Sequence, residues 1–143
     1  MLKTPIIHPE LMQALGEAGH GARILVADSN YPVTVKANPE SRIVFLNFTP
    51  GTVSGTDIIR ALAQTLVFES ALFMAPPDGK TPPVVNEYRK LLPKNVPFES
   101  SGRFEFYDEA SGPDTSLVIA SGEQRVYANL LLTVGVIPPP KGK

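Results

Sequence analysis

Arg23-Ile24-Leu25-Val26-Ala27, closed by Asp28-Ser29-Asn30, is the stretch on which the fold turns. Four successive apolar residues without polar alternation suit a strand covered on both faces, and such strands belong to sheets with helices packed on them. Asp28 is then expected at the carboxyl end of that strand. Upstream, His8-Pro9-Glu10 reads as a helix start, because proline is tolerated at the first helical position and an early acid complements the helix dipole. Leu11, Met12, Leu15 and Ala18 share one face of that helix and Gly19 stops it.

Downstream, Arg42-Ile43-Val44-Phe45-Leu46-Asn47-Phe48 reads as a second strand after a loop that begins at Tyr31-Pro32. Thr56 is expected to cap a helix from Asp57, in which Ile58, Ile59, Leu62 and Leu66 keep helical spacing. Ala71-Leu72-Phe73-Met74-Ala75 reads as a buried strand, and Pro82-Pro83 opens a helix carrying Val84, Val85, Tyr88, Leu91 and Leu92. Arg103-Phe104-Glu105-Phe106-Tyr107 alternates like a strand yet equally suits the start of a short helix, and five residues leave the choice open. Ser116-Leu117-Val118-Ile119-Ala120 and Asn129-Leu130-Leu131-Leu132-Thr133-Val134 read as two late strands. Strands alternating with helices predict a single-domain α/β layered sheet over residues 1–137, with a frayed tail at 138–143 and ligands near strand carboxyl ends.

Composition narrows the function. With 143 residues the chain suits one domain, and its 13 basic and 14 acidic residues lack the positive field that nucleic acid requires. Without cysteine there are no thiolate metal sites or thiol nucleophiles, and two histidines leave little for zinc, so no metal is expected. No apolar run reaches the ~18 residues of a membrane span, and the amino end does not look like a targeting segment, so a cytoplasmic protein is expected. The sequence has neither a phosphate-cradling loop nor Gly-x-Ser-x-Gly, which argues against nucleotide cofactors and acyl transfer; no cofactor is expected.

The remaining polar residues suit a small hydroxylated ligand. His20 lies between Gly19 and Gly21, and imidazole can donate and accept a proton near neutral pH; the bland alternative is a polar loop residue. His8 is read as surface or capping. Asp28 is either a ligand-binding carboxylate or the start of an Asx turn. Arg103 offers a planar fork of donors, or a stem packed across Phe104. Tyr107, Tyr127 and Asn129 bring hydroxyl and amide groups suited to polyols, or serve as amphipathic packing.

Taken together, His8-Pro9-Glu10-Leu11, Gly19-His20-Gly21, Asp28, Arg103-Phe104-Glu105-Phe106-Tyr107, Gly122-Glu123 and Tyr127-Ala128-Asn129-Leu130-Leu131-Leu132 resemble the RbsD/FucU family, the D-ribose pyranases and L-fucose mutarotases. Arg103 and Phe106-Tyr107 are closer to the fucose branch, since ribose members tend to carry histidine at the position of Tyr107. The resemblance implies a cofactor-free isomerase in which His20 is the catalytic proton donor. It makes Asp28, Arg103, Tyr127, Ala128 and Asn129 sugar-binding positions, with Tyr107 as a weaker addition. It also implies a homo-oligomer with pockets at subunit interfaces, each completed by a neighbour's C-terminal segment. Ala22 departs from the pattern, standing where relatives often carry an acid two residues after the histidine.

Mutarotation opens a cyclic hemiacetal by removing the anomeric hydroxyl proton and protonating the ring oxygen, then recloses it on the other carbonyl face. One placed acid/base group contributes about 10²- to 10⁴-fold to such a step. The expected activity is anomer interconversion, extending to pyranose/furanose exchange, on L-fucose or a related monosaccharide. The alternatives are a non-catalytic sugar-binding or regulatory module, and an oligomeric scaffold. In the enzymatic reading, His20 and the Tyr127-Ala128-Asn129 segment converge on one cleft, within a chain or between adjoining protomers.

Overall fold

His8 starts the first helix in the computed structural model, which describes residues 1–142. Its Nδ1 accepts a hydrogen bond from the Leu11 N–H at 3.2 Å, satisfying one of the donors a helix start leaves free. Helix α1 (Pro9–Glu17) follows, burying Leu11, Ala14 and Leu15. Among the described residues the rest of the order is β1 (Arg23–Ala27), β2 (Arg42–Phe45), α2 (Gly55–Ala63), β3 (Phe68–Met74), α3 (Pro83–Leu91), β4 (Phe98–Ser101), α4 (Arg103–Ala110), β5 (Thr115–Ala120) and β6 (Leu130–Val134). Residues 138–142 contain neither helix nor strand, and Lys143 of the expected tail lies outside the described residues.

The strands form one sheet in the order β2-β5-β1-β6-β3-β4. β1 pairs in parallel with β5 and antiparallel with β6, and Ile24, Leu25, Val26 and Ala27 are fully buried, which accounts for the unbroken apolar run. Successive side chains divide between two faces. Ile24, Val26, Leu117, Ile119, Leu130 and Leu132 join the buried residues of α1, α2 and α3, whereas Leu25, Val118 and Leu131 meet Phe106, Tyr107 and Ala110 of α4. The chain is thus the single-domain α/β layered sheet that the sequence predicts.

Several local readings sharpen or change: the second strand ends at Phe45 and the third runs from Phe68 to Met74. Ser54, rather than Thr56, caps α2, its Oγ accepting from the Asp57 N–H at 3.1 Å. The helix begins at Gly55 because the buried Glu123 carboxylate accepts the Gly55 N–H at 3.1 Å. The open choice at residues 103–107 resolves as helix: Phe106, Tyr107 and Ala110 fall on the face that covers the sheet. Strand β4 has only one apolar residue in Phe98-Glu99-Ser100-Ser101 and forms by parallel pairing with β3 from Ala71↔Phe98 to Met74↔Ser101.

Because β6 runs against β1, β3 and β5, its first residue lies at their carboxyl ends. Asp28, Met74, Ser121 and Asn129 therefore share one rim of the sheet, and His20 lies at the other. No helix among the described residues is long and apolar enough to cross a membrane.

Candidate functional site

Asp28 and Asn129, 101 residues apart, form a reciprocal pair at that rim. The Asp28 N–H donates to Asn129 Oδ1 at 2.7 Å, and Asn129 Nδ2 donates back to Asp28 Oδ2 at 3.1 Å. The same oxygen accepts the Ala128 N–H at 3.2 Å, while Asp28 Oδ1 accepts the Asn30 N–H at 3.0 Å. Asp28 thus makes the Asx turn through Oδ1, while Oδ2 ties the 128–129 segment to the end of β1. Both side chains are buried. The β1–β6 register Val26↔Leu130 brings them together.

Tyr127 has φ +57°, a left-handed conformation that costs a bulky residue energy and that clusters at functional sites. The following Ala128 is fully buried and supplies its N–H to Asp28. Across the cleft, the first turn of α4 brings Arg103, whose Nε donates to the Tyr107 hydroxyl at 3.0 Å. The guanidinium also lies 5.4 Å from the Phe104 ring and 5.6 Å from the Tyr107 ring, so the packing alternative for Arg103 holds alongside its donor role. Tyr31 stands edge-on to Tyr107 at 5.3 Å. Asp28, Tyr31, Arg103, Tyr107, Tyr127 and Asn129 together line a cavity of about 250 Å³. That is below the ~300–1,000 Å³ of clefts for drug-sized ligands, and it suits one small polar molecule.

Burial raises the carboxyl pKa of Asp28 above its ordinary 3.8, against the opposing pull of the N–H groups of Asn30, Ala128 and Tyr31 and the Asn129 amide. The folded state therefore holds this proton more tightly than the unfolded chain does. Its stabilising contribution is fullest below pH 3.8 and declines as pH rises through the folded-state value. Urea unfolding from about pH 3 to about pH 7 should show Asp28→Asn gaining on the parent protein with rising pH across that window; a constant difference would contradict the shift.

Of the residues expected to converge, the cavity brings together Asp28, Arg103, Tyr107, Tyr127 and Asn129, with Ala128 supporting it from beneath. It does not include His20 of the same chain. His20 precedes β1 and Asp28 follows it, and the extended strand alone holds their ends roughly 13 Å apart. His20 Nε2 instead meets Glu69 Oε2 at 3.0 Å, with 57% of the His20 side chain exposed. Tyr31 and Met74 also line the cavity and were not expected there. An aromatic three residues beyond Asp28 was the available signal for Tyr31; Met74, inside an apolar strand, gave none. A larger hollow of about 480 Å³ at the opposite rim is lined by Glu105, Asp108, Glu109 and Asp114, and its Arg23 is paired with Glu109 at 2.6 Å. That excess of exposed like charge lacks the aromatic and amide groups of the first cavity. Among the described residues, no group of three or more His, Asp or Glu side chains is placed to hold a metal.

Comparison with known proteins agrees with this fold. Residues 1–137 match the model of the RbsD / FucU transport protein family. A D-ribose pyranase from Chloroflexus aggregans is 27% identical over 137 residues, covering 96% of this chain and 99% of its own. The structure of Bacillus subtilis RbsD complexed with D-ribose superposes with TM-score 0.83 at 25% identity, covering 96% of this chain and all of that one. The fucose mutarotase of Streptococcus pneumoniae, solved with L-fucose, gives TM-score 0.82 at 25% identity over the same shares.

Proposed function

We infer that this chain, which belongs to the RbsD / FucU transport protein family, is a monosaccharide mutarotase that opens and recloses a pyranose ring by acid/base catalysis, without a cofactor. The observation that carries the reading is the rim cavity, where a buried carboxylate, an amide, three phenols and a guanidinium converge on space for one small polyol. Arg103 and Tyr107 favour L-fucose or a related sugar over ribose. Asp28 and Asn129 accept and donate to ring hydroxyls, and Arg103 supplies donors to a further hydroxyl.

The family resemblance gives the proton step to His20, which this cavity does not include. His20, exposed at the opposite rim, can exchange its Glu69 partner for the cavity of an adjoining copy, so we place the complete site in a homo-oligomer. In that site His20 moves a proton at the ring oxygen or the anomeric hydroxyl. The anomeric O–H proton leaves as the bond from the anomeric carbon to the ring oxygen breaks, the ring oxygen gains a proton, and the open aldehyde recloses on its other face. No atom is gained or lost.

Saturation-transfer NMR on anomeric mixtures of fucose, ribose and galactose tests the reading. Exchange above the buffer rate with at least one of these sugars is expected. Binding without exchange would instead identify a sugar-binding module, and the absence of both would leave a scaffold.

A further inference from the structure

The loop joining β5 to β6 carries Tyr127, Ala128 and Asn129, and it is held by a network beneath the cavity. Glu123, whose side chain is only 5% exposed, accepts the Gly55 N–H through Oε2 and the Arg125 N–H through Oε1, at 3.1 and 3.0 Å. Arg125 folds back on it, donating from Nε to Oε1 and from Nη2 to Oε2, both at 2.9 Å. The outer edge of the same guanidinium reaches Glu87 Oε2 on α3 at 2.7 Å and Thr56 Oγ1 on α2 at 3.0 Å. One cation thus joins the loop to two helices by charge-assisted bonds, the stronger kind.

Two further contacts fix the ends of the segment. The buried Tyr88 hydroxyl of α3 donates to Ala128 O at 3.1 Å, which orients that peptide so that its neighbouring N–H faces Asp28. Gly122 lies so close to residues 49–52 that a Cβ there would come within 2.2 Å of Thr52 O. Between these anchors Tyr127 keeps its left-handed backbone, a conformation that persists only where the surroundings hold it.

We propose that Arg125, seated between Glu123 and Glu87, is a positioning residue that holds residues 127–129 against Asp28, so that affinity for the sugar depends on it while proton transfer does not. The role rests on the mutarotase reading above. It follows from the direction of the contacts: within the chain the clamp bonds the loop that carries residues 127–129 and two helices, and none of its bonds goes to His20.

Saturation-transfer measurements over a range of sugar concentrations, on Arg125→Ala, Arg125→Lys and Glu87→Gln, separate KM from kcat. Arg125 is partly exposed, which favours folded variants, and thermal unfolding verifies this. Arg125→Ala is expected to raise KM about ten-fold, below the ~100-fold that a 1 Å displacement of reacting groups can cost, with kcat within about two-fold. Arg125→Lys should recover part of the affinity, since one ammonium engages one carboxylate but cannot span both. Glu87→Gln, which spares Glu123, should give the smallest rise. Amide exchange at Ala128 should quicken in the order of the KM values. An unchanged KM in Arg125→Ala, with the parent protein active, overturns the positioning role and leaves the mutarotase reading standing. Quicker exchange at Ala128 with unchanged KM does the same, because the clamp would then be structural only. A parent protein that exchanges no sugar removes both.

Discussion

Replacing His20 with alanine should lower anomer exchange by about 10²- to 10⁴-fold while leaving sugar binding intact, because the imidazole supplies proton transfer and the cavity supplies recognition. The stronger expectation concerns mixtures. If His20 acts in the cavity of an adjoining copy, a His20→Ala protomer retains a sound cavity and an Asp28→Asn protomer retains a sound imidazole. Co-assembly of two inactive variants should then regenerate working sites at roughly a quarter of the interfaces in a random head-to-tail ring. Exchange rates before and after mixed refolding measure this directly. Inactive parents that show no complementation on mixing would reject a shared site, and an active His20→Ala would reject the proton role.

Asp28→Ala should have the second large effect, on both binding and stability. The carboxylate accepts from the Asn30 and Ala128 N–H groups and the Asn129 amide, at 3.0, 3.2 and 3.1 Å. Removing it leaves the buried Ala128 N–H without a partner and Asn129 Nδ2 with only Met74 Sδ at 3.9 Å, at about 1–3 kcal/mol each. Against a typical domain stability of about 5–15 kcal/mol that is a large fraction, visible as a lower urea midpoint. Sugar binding should fall below detection by saturation-transfer difference, since the groups freed from Asp28 no longer hold the cavity wall. A destabilised variant with undiminished sugar affinity would place the sugar elsewhere.

Much of the layered fold is legible from residue pattern because burial imposes period. The run from Ile24 to Ala27 is apolar throughout because both faces of a central strand are covered, and α2 and α3 show helical spacing because one side of each meets the sheet. Where burial is slight the pattern fails. Strand β4 exists by backbone pairing to β3, and its mostly polar side chains give no strand signal. Residues 103–107 read both ways until Leu25 and Val118 present the surface that Phe106 and Tyr107 cover. The start of α2 moves to Gly55 because a carboxylate 68 residues away accepts its N–H, a fact invisible in local propensity.

By itself, the order of amino acids determined the layered α/β class, the caps that chemistry makes local, such as His8, and five of the polar residues that line the rim cavity, Asp28, Arg103, Tyr107, Tyr127 and Asn129. Tertiary structure decided which of them meet. Extended backbone separates near neighbours, so His20 and Asp28, flanking one strand, end at opposite rims. Antiparallel register unites distant ones, so Asp28 and Asn129 bond across 101 residues.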